Sequence, residues 1–194
     1  MRCVNDTAAL RLRQAVRHIQ HAARERAATG RGLEEADDVT GTFATDGAIG
    51  FDPFPFLRAL HEAGSRAMVV GQVAGIMHGS LEPTGDLDLL WDGTPEQAHA
   101  LRTALTTAGC TELPDLDRPL AAYQVTGAGG DLCTTALPWG DLDTTPCLTR
   151  ALITHDPAGF AVSYATLDDL IGMRRSLGRP KDHRRADELE RLSG

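Results

Sequence analysis

The sequence predicts an α+β fold: a small mixed β-sheet with flanking helices, plus an N-terminal helix and a C-terminal helical tail. Two observations carry this. Apolar residues recur at helical spacing in segments bounded by capping residues and glycines. Between those segments stand short apolar or alternating runs of strand length, and no internal repeat runs through the chain.

Taken in order, residues 7–28 read as a helix with Thr7 as N-cap and an apolar stripe of Leu12, Val16, Ile19 and Ala23. Gly30 and Gly32 stop it. Residues 29–50 have little periodicity and read as a flexible linker or long loop, so residues 1–50 are expected as an appendage and residues 51–194 as the main domain. Pro53 and Pro55 suit a helix start, and Phe54, Leu57 and Leu60 recur at helical spacing before Gly64. Residues 66–70 form the first expected strand, a helix follows Gly71, and residues 86–91 form the next strand. Thr94, Pro95 and Gln97 mark a helix start with a capping box, and Gly109 marks its end. Residues 119–126 and 131–136 read as paired strands joined by the glycine-rich turn 127–130. Residues 148–153 and 160–163 are expected as two more strands. Thr166 caps a helix that Gly178 ends, and a last helix runs from about residue 182 to 192.

At 194 residues the chain can bury a sizeable core, and 42% apolar with 24% charged residues is an ordinary globular mixture. No apolar run has the length of a membrane span, and the start lacks the apolar stretch of a secretory signal, so a cytoplasmic location is expected. Cys3, Cys110, Cys133 and Cys147 show no CxxC pairing and read as reduced thiols. The formal charge of −8 is uneven. Residues 86–169 hold three basic side chains (Arg102, Arg118, Arg150) against thirteen acids, whereas residues 174–185 hold six basic side chains against Asp182 alone. The acidic body argues against broad nucleic-acid binding. The basic tail suits either a local phosphate clamp or a solvated helix face.

The most informative stretch is residues 69–91. A short apolar run meets Gly71, Gly75 and Gly79, and then Asp86 and Asp88 flank one leucine. On a strand the two aspartates share a face while Leu87 and Leu89 point into the core. Paired carboxylates suit a hard divalent cation, and the glycines let backbone approach a phosphate closely. Asp115/Asp117 and Asp141/Asp143 share the spacing but lie in loop-like contexts.

With Val69-Val70-Gly71-Gln72, His78-Gly79, Thr84 and Asp86-Leu87-Asp88 in that order, residues 51–91 resemble the minimal nucleotidyltransferases of the DNA polymerase β superfamily. The resemblance is to the small bacterial and archaeal group that includes AbiEii-type toxin relatives. Residues 168–182, with Arg174, Arg179, Pro180 and Lys181, resemble the closing motif of that group, so the likeness covers roughly residues 51–192. It implies an enzyme that moves a nucleoside monophosphate from an NTP such as ATP to a hydroxyl acceptor on a protein, a tRNA end or a small molecule, in the setting of a toxin–antitoxin system.

Asp86 and Asp88 would then hold Mg2+ (or Mn2+), and a third acid would complete the metal site and act as base. Asp131, after a glycine turn and at the head of a strand, fills that role or else caps its own loop. Gly71, Gln72, Thr84, Arg174 and Lys181 would meet the nucleotide. The chain departs from the pattern at three places: Gln72 replaces a second small residue and either crowds the phosphate or donates to it, Glu82 stands where a basic residue is common, and Arg174 replaces lysine. These departures motivate an alternative, a catalytically degenerate nucleotide- or protein-binding module with the N-terminal helix as docking element. His78 either contacts the nucleotide or satisfies a backbone carbonyl. Gly75 is expected to let its helix pack closely on the sheet.

Overall fold

A computed structural model describes residues 6–192 of the chain. Its centre is a six-stranded mixed sheet of order β3-β4-β2-β1-β6-β5. The strands are β1 (Met68–Val69), β2 (Leu89–Trp91), β3 (Leu120–Val125), β4 (Ala128–Thr134), β5 (Leu152–His155) and β6 (Ala161–Tyr164). β1 runs antiparallel to β2 and parallel to β6, and β2 runs parallel to β4. β3–β4 and β5–β6 are antiparallel hairpins. Seven α-helices are seen among the described residues: α1 (Asp6–Arg24), α2 (Phe54–Glu62), α3 (Gly71–His78), α4 (Pro95–Thr107), α5 (Thr145–Arg150), α6 (Leu167–Leu177) and α7 (Pro180–Leu192).

The central strands are buried on both faces, which is why Leu89, Leu90 and Trp91 read as a continuous apolar run without alternation. β3, at the edge, alternates strictly between exposed and buried residues. α2 packs against α4 and β6, α1 against α3 and β5, and α6 against α3 and α7. The apolar stripe of α1 (Leu12, Val16, Ile19 and Ala23) is buried in the same core as the sheet. Arg13 pins that helix with a forked ion pair to Asp156, both contacts at 2.6 Å. The stripe that would have served as a docking face is therefore covered by the chain's own core.

Residues 29–50 run as a loop tied down at several points. Three single-turn 3-10 helices interrupt it (Leu33–Glu35, Thr42–Ala44 and Asp46–Ala48). The Asp46 carboxylate accepts from the Thr29 and Gly30 amides at 2.8 Å, and Arg26 donates to the Phe43 carbonyl at 2.8 Å.

Several local expectations are corrected. α1 already includes Thr7, which is therefore not its N-cap. Thr94 does cap α4, accepting from the Gln97 amide, but Gln97 closes no capping box: its side-chain oxygen accepts from the Arg66 amide at 2.6 Å instead. The β3–β4 turn is Thr126–Gly127, and Gly129 and Gly130 lie inside β4. Residues 145–150, expected in part as strand, form α5, with Pro146 in its first turn. α7 starts at Pro180, two residues earlier than expected. Thr166 caps α6 as expected, and Gly178 ends it with φ +69°. Cys3 lies outside the described residues; Cys110, Cys133 and Cys147 are free thiols. No helix among the described residues is long and apolar enough to cross a membrane.

Candidate active site

The site forms where β1, β2 and β4 lie side by side. Asp86 and Asp88 immediately precede β2, and Asp131 lies within β4 one residue before Leu132, which pairs with Leu89. This parallel register brings three acids from distant parts of the chain to one cavity of about 410 Å³, which they line together with Gly71, Gln72, Thr84, Arg174 and Lys181. These eight residues therefore border one space, and His78 does not line it. The strand expected over residues 86–91 is shorter, Leu89–Trp91, so the acids sit just ahead of it; Leu87 and Leu89 are nonetheless fully buried, while Asp86 and Asp88 are only partly exposed.

The backbone around the acid pair is fixed on three sides. Leu87 donates its amide to the Gly129 carbonyl at 2.8 Å, and the Asp88 carbonyl accepts from the Val70 amide at 2.9 Å. The Tyr123 hydroxyl donates to the Leu87 carbonyl at 2.7 Å. Gly130 permits this close approach: a Cβ there would sit 2.2 Å from the Leu87 carbonyl oxygen. Tyr123 carried no functional signal in the sequence, because its role depends on lying opposite Gly130 across the hairpin.

Gly71 opens α3 with φ +62°, and a Cβ at this position would lie 2.3 Å from the Asp88 carboxylate. Both the left-handed backbone and the carboxylate demand glycine here. The Asp131 amide donates to Asp88 at 3.3 Å. Asp131 belongs to the strand, which removes the loop-capping alternative.

The acids repel one another. Burial, followed by the charges of Asp86 and Asp131, holds the Asp88 carboxyl well above the usual carboxylate range. Burial and Asp86 raise Asp131 as well. Burial, and after it the charges of Asp88 and Asp131, push the Tyr123 hydroxyl and the Cys133 thiol up. Carboxylate oxygens are the donors a hard cation takes. The three acids line the cavity without closing into a cage: among the described residues, no group of three His, Cys, Asp or Glu side chains stands ready to hold a metal ion.

The cations behave differently. Arg174, only 4% exposed, reaches from α6 to the Gln72 side-chain oxygen at 2.8 Å and the Gly71 carbonyl at 3.2 Å. Burial and then the charge of Arg185 bring its guanidinium down to about 10, still protonated at neutral pH. Its Nε has no partner among the described residues. Gln72 neither crowds the cavity with a free amide nor offers one to it. Its nitrogen donates to the Ser80 hydroxyl at 3.0 Å and the Glu82 carbonyl at 2.9 Å, while its oxygen holds Arg174. Glu82 is matched by Arg185 at 2.9 Å. Lys181 is paired with Asp38 from the N-terminal loop at 3.1 Å.

A Cβ at Gly75 would meet Arg174 and Gln72 at 3.3 and 3.4 Å. This glycine thus makes room for that pair rather than for the sheet. His78 takes the structural role: its Nε2 lies 2.8 Å from the Ala165 carbonyl, its ring packs on Tyr164, and burial lowers its basicity.

One functional neighbour was missed from the sequence. Thr42, inside the loop, lies on the cavity wall, 2.8 Å from Asp86 Oδ1 and 2.9 Å from the Thr84 hydroxyl. Thr84 also hydrogen-bonds Asp86. Nothing periodic marks Thr42, and only the folded chain brings it 44 residues forward to the acid pair.

No family model matches the chain, and no curated protein matches it.

Proposed function

We propose that the chain is a divalent-metal-dependent nucleotidyltransferase that moves a nucleoside monophosphate from an NTP to a hydroxyl acceptor. The observation that carries this reading is the convergence of Asp86, Asp88 and Asp131 on one cavity, beside the bare backbone of Gly71 and the buried cation Arg174. The cavity volume falls in the range of small-molecule sites. Asp86, Asp88 and Asp131 would hold Mg2+, which when bound neutralises phosphate charge and polarises the α-phosphate. The chain's own residues supply the rest. The start of α3 at Gly71 offers backbone amides to a phosphate, and Arg174 supplies positive charge behind them. Asp131 accepts the proton of the incoming hydroxyl.

A second reading, a nucleotide-binding module without catalysis, is favoured by one feature: Asp86 Oδ1 already accepts from Thr42 and Thr84, which competes with a metal for that oxygen. The two readings separate when the protein is incubated with α-labelled NTPs, Mg2+ and a cell extract. Transfer of label that Asp88→Ala abolishes is the result expected of the transferase. Mg2+-dependent NTP binding without any transfer establishes the module. Neither binding nor transfer overturns both.

A further inference from the structure

We infer that the chain is itself a substrate: Thr42 is an internal acceptor hydroxyl for the nucleoside monophosphate. The inference rests on the transferase reading and names one acceptor for it.

The Thr42 hydroxyl points at the acids rather than at its own loop. Its side-chain partners are Asp86, Thr84 and the Gly85 amide, at 2.8, 2.9 and 3.0 Å. Capping of the turn that follows is done by Thr45, which accepts from the Gly47 amide, so the turn does not need the Thr42 oxygen. The backbone that presents it is held from both sides. Thr45 donates to the Thr42 carbonyl at 2.7 Å, and Arg26 donates to the Phe43 carbonyl at 2.8 Å. Upstream, Asp38 is gripped by Lys181 at 3.1 Å and its carbonyl by Arg184 at 3.3 Å. A hydroxyl fixed in this way, in hydrogen-bond contact with a carboxylate and inside the nucleotide cavity, has the positional advantage that makes an intramolecular acceptor efficient. Thr84 is close as well, but it is 1% exposed beneath Thr42, whereas Thr42 is only partly covered.

In the step, Thr42 Oγ attacks the α-phosphorus of a bound nucleoside triphosphate. The Oγ–P bond forms, the bond from the α-phosphorus to the oxygen bridging to the β-phosphate breaks, and that electron pair leaves with pyrophosphate. For this internal acceptor the hydroxyl proton passes to the Asp86 carboxylate, to which it already points, whereas Asp131 is the base for an acceptor arriving from outside the chain. The product is a phosphodiester between Thr42 and the nucleoside.

The test is to incubate the full-length protein with each α-labelled NTP and Mg2+, and to map any adduct by peptide mass spectrometry. The expected result is one nucleoside monophosphate per chain on Thr42, with an equal amount of pyrophosphate and a rate per chain that does not change on dilution. Thr42→Ser keeps the adduct and Thr42→Ala loses it; if Thr42→Ala fails to fold, the site mapped on the unaltered protein decides. An adduct on Thr84 or elsewhere overturns the inference. So does transfer to other acceptors, or exchange of labelled pyrophosphate into NTP, with Thr42 unmodified; in both cases the transferase reading survives. Absence of adduct, transfer and exchange together overturns the transferase reading as well.

Discussion

The acid pair with Asp131 and the basic stretch of α6 and α7 face the same cavity, yet they are neutralised to different degrees. Nearly every cation of the tail already has a partner: Arg174 has Gln72, Arg175 has Asp187 and Glu190, Arg179 has Asp182, Lys181 has Asp38 and Arg185 has Glu82. The three acids have hydroxyl and amide donors but no cation in direct contact with them among the described residues, and burial leaves Asp88 and Asp131 reluctant to ionise. The tail is therefore built mainly as architecture, with Arg174 as the cation committed to the cavity wall. The acid wall is an electrostatic debt that a bound cation would discharge.

The largest effect expected from breaking this contrast is on activity. Asp131→Asn, which keeps shape and removes the base, is expected to lower transfer by about 10²–10⁴-fold in single-turnover assays, with an unchanged circular dichroism spectrum. Next comes the one buried cation among the described residues. Arg174→Met leaves the Gln72 oxygen and the Gly71 carbonyl without their donor, and urea denaturation is expected to register a loss of about 2–3 kcal/mol; an unaltered midpoint would mean that Arg174 holds nothing together.

Asp88→Asn should act in the opposite direction. Asp88 binds its proton more tightly in the fold than in the open chain, so its contribution to stability falls as pH rises above the ordinary carboxylate range and recovers in acid. Removing that charge is expected to stabilise the protein by about 1 kcal/mol at neutral pH, roughly 2–4 °C in melting temperature, with the gain vanishing in acid. Mg2+ should raise the melting temperature of the unaltered protein and not that of Asp88→Asn. A melting temperature indifferent to Mg2+ would remove the metal from the scheme.

The Glu82–Arg185 pair is smaller in effect. A double-mutant cycle with Glu82→Gln and Arg185→Met is expected to give a coupling of about 0.5–1 kcal/mol, since both side chains are only partly exposed. Arg175→Ala, which removes the exposed ion pairs from α6 to Asp187 and Glu190 of α7, should leave the melting temperature unchanged within error.

Much of the site was legible because it depends on local rules. The acid–leucine–acid spacing sends Asp86 and Asp88 to one cavity and Leu87 to the core, a glycine must start α3 beside them, and Thr166 and Gly178 bound the helix that carries Arg174. What was not legible depends on side-chain partners supplied by the fold. The sequence leaves Gln72 to crowd a phosphate or donate to it and sets Glu82 against one, but it does not reveal that Arg174 and Arg185 occupy them. Asp131 was found by its glycines, though its neighbours Gly129 and Gly130 proved to be strand rather than turn. Thr42 had no periodicity to betray it, and Tyr123 had only the alternation of an edge strand.

The ion pair between Arg13 and Asp156 joins positions 143 residues apart, tying the first helix to the turn after β5. That helix packs on α3 and also on β5, so its apolar stripe is fully covered only once a segment far along the chain has joined it. Pairings of such long range slow the search for the native state and lengthen the time for which sticky surface is open to other chains. Deleting the first helix would thus do more than trim an end: it would uncover α3 and β5 together, and with them the ground on which the acid wall stands.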